Sequence, residues 1–574
     1  MKHLLPFGEV KPIIFNGKLI SITLKLNVKG HMCKVITFKD SMLMLPLSLS
    51  QLSKSFKIES PKGSFPFLLN DLNYNGQFPD FKFFTSLTLI EYNKFKNEFM
   101  NVNKIWDFKI EAIKYCKLDC LSLYQVMSKF SNLVYKEFKV DPFSVLTLPS
   151  LAMRIWKTFY MPKDTVYQLH GLPELNIRKS YTGGAVDVYI PTFTSTNESD
   201  MLYVCDVNGL YPNEMKNLMP IGEPVAFLGD IRKIDSEAFG FFYCKIKSPE
   251  YLEHPILQRS IKVDNKKSTI AGLGSWEGWI FSAEMDNAMK YGYTFEILRG
   301  YEFKKGNIFS TYVDKMYALR MQYPKGDAMN LIAKLLMNSL YGKFGMNNII
   351  TKVKIINNKE ELNKYLEKYN SNILDIVYLD NYVVLTYITY EFIPNGDHNY
   401  LPSFEFNYGM DVNVAIASAI TSYARIYMSS IKNNPLFKLF YTDTDSGVVD
   451  KPLPSEMVGP ELGKFKLEHK INKAVFLAPK VYGFIDDTNT EIIKVKGLTK
   501  NTINKITLLD LEELLMKDSI KQFSQEKGFK NIYESNILRK ELIYTLKSTS
   551  NKRNPIYLNN KFIGTKPFNY NEIE

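Results

Sequence analysis

Histidine and cysteine are scarce, six and five in 574 residues. The cysteines, Cys33, Cys116, Cys120, Cys205 and Cys244, form no C-x-x-C pair, so neither a zinc site nor a disulfide framework is indicated. The histidines are scattered and read as core or surface fillers. No apolar run reaches the length of a membrane span. The first residues, Met1-Lys-His-Leu-Leu-Pro-Phe, lack the layout of a signal peptide and the Arg/Ser-rich character of a transit peptide. Internal repeats and low-complexity tracts are missing too. Only nine of the 72 basic residues are arginine, while Asn, Ile, Phe and Tyr are abundant. That usage fits AT-rich coding, so the lysine excess is weak evidence for nucleic-acid contacts.

What is present describes a large folded protein. With 45% hydrophobic and 14% aromatic residues the chain can bury several cores, and its length exceeds what one core supports. A net charge of +12 and a pI near 9.0 favour a polyanionic partner. Residues 12–40 alternate polar and apolar positions, as strands do. Helical periods follow near 47–57 and 108–130, and a third helix fits Ser150 to Tyr160, before Pro162. Pro173 to Gly184 reads as a linker, and the charged stretch 351–372 as a helical insertion. The tail beyond about 500 reads as Lys-rich helices alternating with loops.

Three short blocks carry chemistry. Tyr441-Thr-Asp-Thr-Asp-Ser lies between two apolar runs and reads as two strands joined by an acidic turn. Asp443 and Asp445 are two apart, so on a strand both carboxylates face one way, a hard oxygen pair suited to Mg²⁺. An ordinary surface turn is the plain alternative. Met201-Leu-Tyr-Val-Cys is a strand that delivers Asp206 to its end, and Pro212 stands where a helix could start. A strand-end carboxylate backed by free N–H groups can hold a metal and phosphates together, or merely cap. From Asp327 a helical run places Lys334, Asn338 and Tyr341 on one face. A cation, an amide and a phenol on one stripe can contact a triphosphate, a sugar and a base. A solvated helix face has the same pattern.

In chain order, those of Asp206, Lys334 and Tyr441, the three blocks closely resemble motifs A, B and C of family B DNA polymerases: D-x-x-S-L-Y-P, K-x-x-x-N-S-x-Y-G and Y-x-D-T-D-S. Ala478-Pro-Lys-Val-Tyr-Gly is similar to the family's K-x-Y motif, and Tyr181-Thr-Gly-Gly to its Y-x-G-G linker. Ser48-Leu-Ser-Gln-Leu matches an S/T-L-x-x-h element of protein-primed members, and Asn208 also fits that subgroup. The resemblance is therefore to the protein-primed polymerases of bacteriophages and linear mitochondrial plasmids. It implies an α/β (α+β) multidomain fold, a right hand of palm, fingers and thumb preceded by a partial ribonuclease-H-like exonuclease domain. The implied division is 1–177 for that partial domain, 178–500 for palm and fingers, and 501–574 for the thumb and C-terminal region. Insertions are implied at about 225–310 and 346–400.

The resemblance also implies roles. Asp206, Asp443 and Asp445 would be catalytic. Two Mg²⁺ ions, with Mn²⁺ as a substitute, would be held by Asp206, Asp445 and the Val207 backbone. N–H groups from Val207 to Leu210, with Tyr211, Lys334, Asn338 and Tyr341, would receive the incoming dNTP, Tyr211 acting as a gate against a 2′-hydroxyl. Ser48, Leu49, Tyr181, Gly183, Gly184, Lys480, Tyr482 and Lys496 would touch template–primer DNA. Gly209 stands where the family has Ser, which should loosen the backbone turn. A terminal priming protein is the implied further partner, with no membrane, and a mitochondrion the implied location.

The front departs from the family. Of the editing motifs only Tyr115-Cys-Lys-Leu-Asp119 is clear. No D-x-E precedes it, and Tyr74-Asn-Gly-Gln-Phe-Pro-Asp80 is an imperfect stand-in for the second motif. The expectation is a chain that starts inside the exonuclease domain, with Tyr115 and Asp119 as its remnant and 3′–5′ digestion absent or impaired. Two competing functions are weighed against polymerisation of dNTPs. An RNA-making palm enzyme also uses paired acids, but lacks the Asn-Ser-x-Tyr-Gly helix and has no use for the Tyr211 gate. A decayed, non-catalytic DNA-binding relic would explain the front, against the intact Asp206, Lys334, Asp443 and Asp445.

Overall fold

Short apolar runs of period two and one alanine-rich helix build the centre of the protein. The computed structural model describes residues 1–573 apart from 16, 29–30, 61, 70, 86, 104, 198–199, 264–265, 347–350, 389, 395–399, 405–412 and 550. Eight antiparallel strands form the central sheet: β1 (Val186–Val188), β2 (Thr192–Thr194), β3 (Leu202–Val207), β4 (Leu439–Asp443), β5 (Ser446–Val449), β6 (Phe465–Ala478), β7 (Val481–Asp486) and β8 (Glu491–Val495). Their order is β8-β7-β6-β3-β5-β4-β1, with β2 paired to β6. Three helices matter for the site: α1 (Leu210–Glu214), α2 (Ala328–Phe344) and α3 (Val414–Lys432).

Alternation along β3 sorts its side chains between two cores. Leu202 and Val204 join Phe476, Val481 and Leu511 on one side. Tyr203, Cys205 and Val207 join Ala424, Met428 and Ile431 of α3 on the other. Small residues such as Ala415, Ala417, Ser418 and Ser422 let α3 bury almost its whole length, and Asn413 caps it by accepting from the Ile416 N–H. Asp206 continues the Leu202–Val204 face, so the sheet itself fixes where its carboxylate emerges.

The chain divides into two compact units: Met1–Phe38, Tyr160–Val313 and Leu340–Glu574 in the first, Lys39–Phe159 and Asp314–Ser339 in the second. The first 38 residues thus group away from the expected 1–177 domain. Their strands, Gly8–Phe15, Lys18–Val28 and His31–Lys39, are those the alternation over 12–40 predicts. Val10, Ile22 and Leu24 pack with Leu379 and Val384, which explains the grouping. In the second unit the helices Leu49–Phe56, Phe108–Phe138 and Leu148–Phe159 match the predicted ones. An aromatic cluster of Phe65, Phe78, Phe84, Tyr92, Phe99 and Trp106 fills its centre. Among the described residues no helix is long and apolar enough to cross a membrane.

Three expectations fail. The stretch 351–372 opens with a strand, Thr351–Ile356, before the helix Lys359–Tyr369, because Lys352, Val353, Lys354 and Ile355 alternate at period two. Part of the surrounding insertion expected at 346–400 lies outside the described residues. The tail is mainly two hairpins, Lys521–Asn531 with Asn536–Leu546 and Asn554–Leu558 with Lys561–Lys566, after two short helices. Asn559 and Asn560 both take positive φ, 49° and 61°, the geometry of a tight hairpin turn. The presumed linker carries a helix, Gly171–Arg178, in which Arg178 pairs with Glu174 at 2.5 Å.

Candidate active site

The acidic turn is tighter than strand alternation supposes. Asp443 ends β4 opposite Ser446 of β5, and Thr444-Asp445 bridge them, with Thr444 at φ 55°. Asp445 therefore lies in the turn, so period-two alternation does not set the direction of its side chain. The Asp445 N–H donates to the Asp443 carbonyl at 2.6 Å. Ser446 lies opposite Asp206 of β3, and the Val207 N–H donates to the Asp445 carbonyl at 2.8 Å. Three carboxylates from two distant stretches of sequence are thereby fixed around one cleft of about 650 Å³, also lined by Glu468, His469, Lys480 and Tyr482. Glu468 falls where the β3–β6 register slips between Leu467 and His469, a bulge of the kind that re-aims a side chain.

Electrostatics separate the acids. The Asp443 carboxylate is held bidentately by the Lys480 ammonium, at 2.6 and 2.8 Å. The Lys480 N–H donates to the Tyr441 hydroxyl at 2.8 Å, which helps to hold this lysine at its left-handed φ of 64°. Asp445 is raised above the usual carboxylate range, first by burial and then by the charges of Asp443 and Glu468. A divalent cation would relieve that crowding, and the hard oxygen donors of Asp206 and Asp445 fit Mg²⁺ or Mn²⁺. Among the described residues no group of three or more acidic, His or Cys side chains converges to hold an ion unaided, so phosphate or water oxygens would complete the shell.

Beside the acids stand three tyrosines. Tyr211 of α1 and Tyr341 of α2 are stacked, with ring centroids 4.3 Å apart and 23° between planes. Both phenols are raised chiefly by burial; Tyr341 also feels the phenols of Tyr211 and Tyr181 and the charge of Asp445. Gly345, just past α2, lies against the Tyr181 ring, where a Cβ would clash. Gly184 lies under Thr444, and an added Cβ there would come within 2.8 Å of its backbone. Gly209 takes φ 58° and ψ 59°, a left-handed turn that glycine adopts without strain, so this position is well served rather than loosened.

Other expected contacts are already engaged. The N–H groups of Val207 and Asn208 donate to Asp445 and Lys464 carbonyls, so this pair is not open for a triphosphate as the sequence suggests. The Lys496 N–H donates to the Lys480 carbonyl, placing Lys496 at the edge of the same strands as Lys480 and Tyr482. Lys334 and Asn338 are exposed on α2 while Leu336, Met337 and Leu340 are buried, as the stripe predicts. Ser48 caps the helix that begins at Leu49, in a reciprocal box with Gln51. Tyr115 bonds Asp119, which has Lys62 at 4.0 Å. Asp80 is exposed and meets Lys82.

Sequence reasoning missed two buried groups. Arg425 of α3 donates Nε and Nη2 to Glu284 at 2.6 and 2.7 Å, and Nη1 to the Thr182 and Gly183 carbonyls at 2.6 and 3.3 Å. It pins the loop on which Gly184 meets the turn. A lone arginine within an alanine-rich helix was the available signal. Glu214 of α1 is buried, with Asn213 and Asn217 donating to it at 2.9 and 2.7 Å. Burial pushes its carboxyl up to about 7, against 4.5 when exposed. The folded state therefore holds this proton more tightly, and stability falls as pH rises from about 4.5 through about 7, by on the order of 3 kcal/mol. Glu214→Gln should abolish that loss: its melting-temperature advantage over the parent should widen between acidic and alkaline buffer. A pH-independent gap would contradict the assignment.

Comparison with known proteins gives the family and the fold. The family model for DNA polymerase type B, organellar and viral, matches residues 1–436. A protein named "Probable DNA polymerase" from Ascobolus immersus is 33% identical over 98% of this chain and 46% of its own length. A second of that name, from Neurospora intermedia, is 35% identical over 93% of this chain and 55% of its own. The chain thus spans about half the length of these curated relatives. Phi29 DNA polymerase in a ternary complex with primer-template DNA and incoming nucleotides is 18% identical, with a TM-score of 0.60 over 94% of this chain and 85% of that one. At that identity the likeness establishes the fold.

Proposed function

The chain belongs to the organellar and viral type B DNA polymerases, and on that premise we propose that it extends a primer 3′-hydroxyl with dNTPs on a DNA template. The observation that carries the reading is the meeting of Asp206 and the Thr444-Asp445 turn on adjacent strands. Asp206 and Asp445 are the proposed holders of two Mg²⁺ ions, Mn²⁺ serving in their place, with the Val207 carbonyl as a further oxygen donor. When bound, such ions favour the primer alkoxide and neutralise the leaving pyrophosphate.

The remaining work is positioning by the chain's own residues. Asp443 orients Lys480, whose ammonium and neighbour Tyr482 line the cleft where a primer end would lie. Lys334 and Asn338 are assigned to the incoming triphosphate and sugar. Tyr211, backed by Tyr341, is assigned to exclude a 2′-hydroxyl: a rigid ring stack leaves no room for an extra oxygen beside the sugar. Gly183, Gly184 and Tyr181 are assigned to the template strand, with Lys496 on the primer side, and Ser48 and Leu49 to a single strand or priming protein. At Tyr115–Asp119 the ammonium of Lys62 stands 4.0 Å from the carboxylate, a cation where a metal ion would need the acid free. That pairing is what supports the reading that 3′–5′ editing is absent or impaired. Protein-primed replication of a linear plasmid in a mitochondrion, with a terminal protein supplying the first hydroxyl, completes the proposal.

Primer extension with Mg²⁺, run beside a 3′-digestion assay, tests it. We expect dNTP-dependent extension and little loss from the 3′ end. Preference for NTPs would sink the deoxynucleotide reading, and rapid digestion would sink the lost-editing one.

A further inference from the structure

The hairpin Arg259–Val263 with Lys266–Ile270 pairs without slippage: Ser260 opposite Thr269, Ile261 opposite Ser268, Lys262 opposite Lys267. Opposed residues share a face, so this ribbon has two distinct sides. One carries Ile261 and Ile270 into a core with Trp276, Ile280 and Tyr570. The other presents Ser260, Lys262, Lys267 and Thr269, with both lysines exposed. Like charges directly opposite each other destabilise an antiparallel pair. Neither lysine has an ion-pair partner among the described residues. Two exposed ammonium groups flanked by two hydroxyls suit a bridging anion with several acceptor oxygens.

The place of the ribbon says which anion. Gln258, just before it, donates Nε2 to the Gly183 carbonyl at 3.0 Å. The next residue of that loop, Gly184, lies against Thr444 of the acidic turn. At the other strand Lys552 donates to the Thr269 carbonyl. The ribbon is thus tied at its base to the loop beneath the acidic cleft. We propose that its Ser260–Lys262–Lys267–Thr269 face grips the phosphodiester backbone of the primer–template duplex beside that cleft. The choice of duplex DNA rests on the polymerase reading; the anion site itself does not.

The test is Lys262→Gln/Lys267→Gln in the full chain, with duplex binding followed by fluorescence anisotropy across a salt series and no nucleotide present. Removing two phosphate contacts should make the plot of log affinity against log salt shallower by about 1.8, and weaken binding roughly tenfold at low salt. Lys262→Arg/Lys267→Arg should keep the parental slope, and a charge-matched control on another exposed surface, Lys359→Gln/Lys364→Gln, should do the same. Relief of like-charge repulsion means the melting temperature should not fall. An unchanged slope in the ribbon variant, or an equal change in the control, overturns the proposal. So does loss of poly-glutamate binding with duplex binding intact, which would mark a docking face for an acidic protein. Because no incorporation is measured, failed primer extension would sink the polymerase reading alone.

Discussion

Asp445→Asn is expected to lower primer extension by about three orders of magnitude while leaving the melting temperature unchanged or raised. The two halves of that result have one cause. Asp445 is a carboxylate made uncomfortable by burial and by the neighbouring charges of Asp443 and Glu468. An amide of the same shape removes the repulsion, so the fold loses nothing, while one of the two carboxylates proposed to hold the metal ions loses its charge. Asp206→Asn should behave alike, since Asp206 lies opposite Ser446 and the Val207 peptide after it is bonded to Asp445. Duplex affinity in the absence of nucleotide should be retained. Steady incorporation by either variant would show that the acidic turn is not the catalyst, and would favour the reading of a relic.

Arg425→Met should be the most destabilising single change near the site. It strands the Glu284 carboxylate in a buried place and withdraws donors from the Thr182 and Gly183 carbonyls. Breaking one partner of a buried pair costs roughly 3–5 kcal/mol. Arg425→Lys should not rescue it, because an ammonium cannot serve Glu284 as a fork and reach the loop as well. The double variant Arg425→Met/Glu284→Gln should recover part of the loss in a thermal melt. If the single and double variants melt together, the stranded carboxylate is not the cause.

The chemical blocks were legible because each carries its own local signal. Asp206 ends an apolar run, the acidic turn sits between two, and Lys334, Asn338 and Tyr341 recur at helical spacing. Their convergence was legible only through the family resemblance, since nothing local says that β3 and β5 are neighbours with Ser446 opposite Asp206. The Asp443–Lys480 pair is likewise a tertiary event, 37 residues apart in sequence. In the tail alternation outweighs lysine content, and Asn559-Asn560 between two short runs signals a hairpin. Arg425 was passed over because in sequence it is one basic residue among 72. Only burial gives it weight, as it does Glu214.

The ion pair between Asp443 and Lys480 has a further consequence. With one of its acids neutralised from within, the turn carries a smaller uncompensated charge than its sequence suggests. Its shape is set by hydrogen bonds and by this resident cation. Under the proposed function a chelator should therefore abolish primer extension while leaving the melting temperature unchanged.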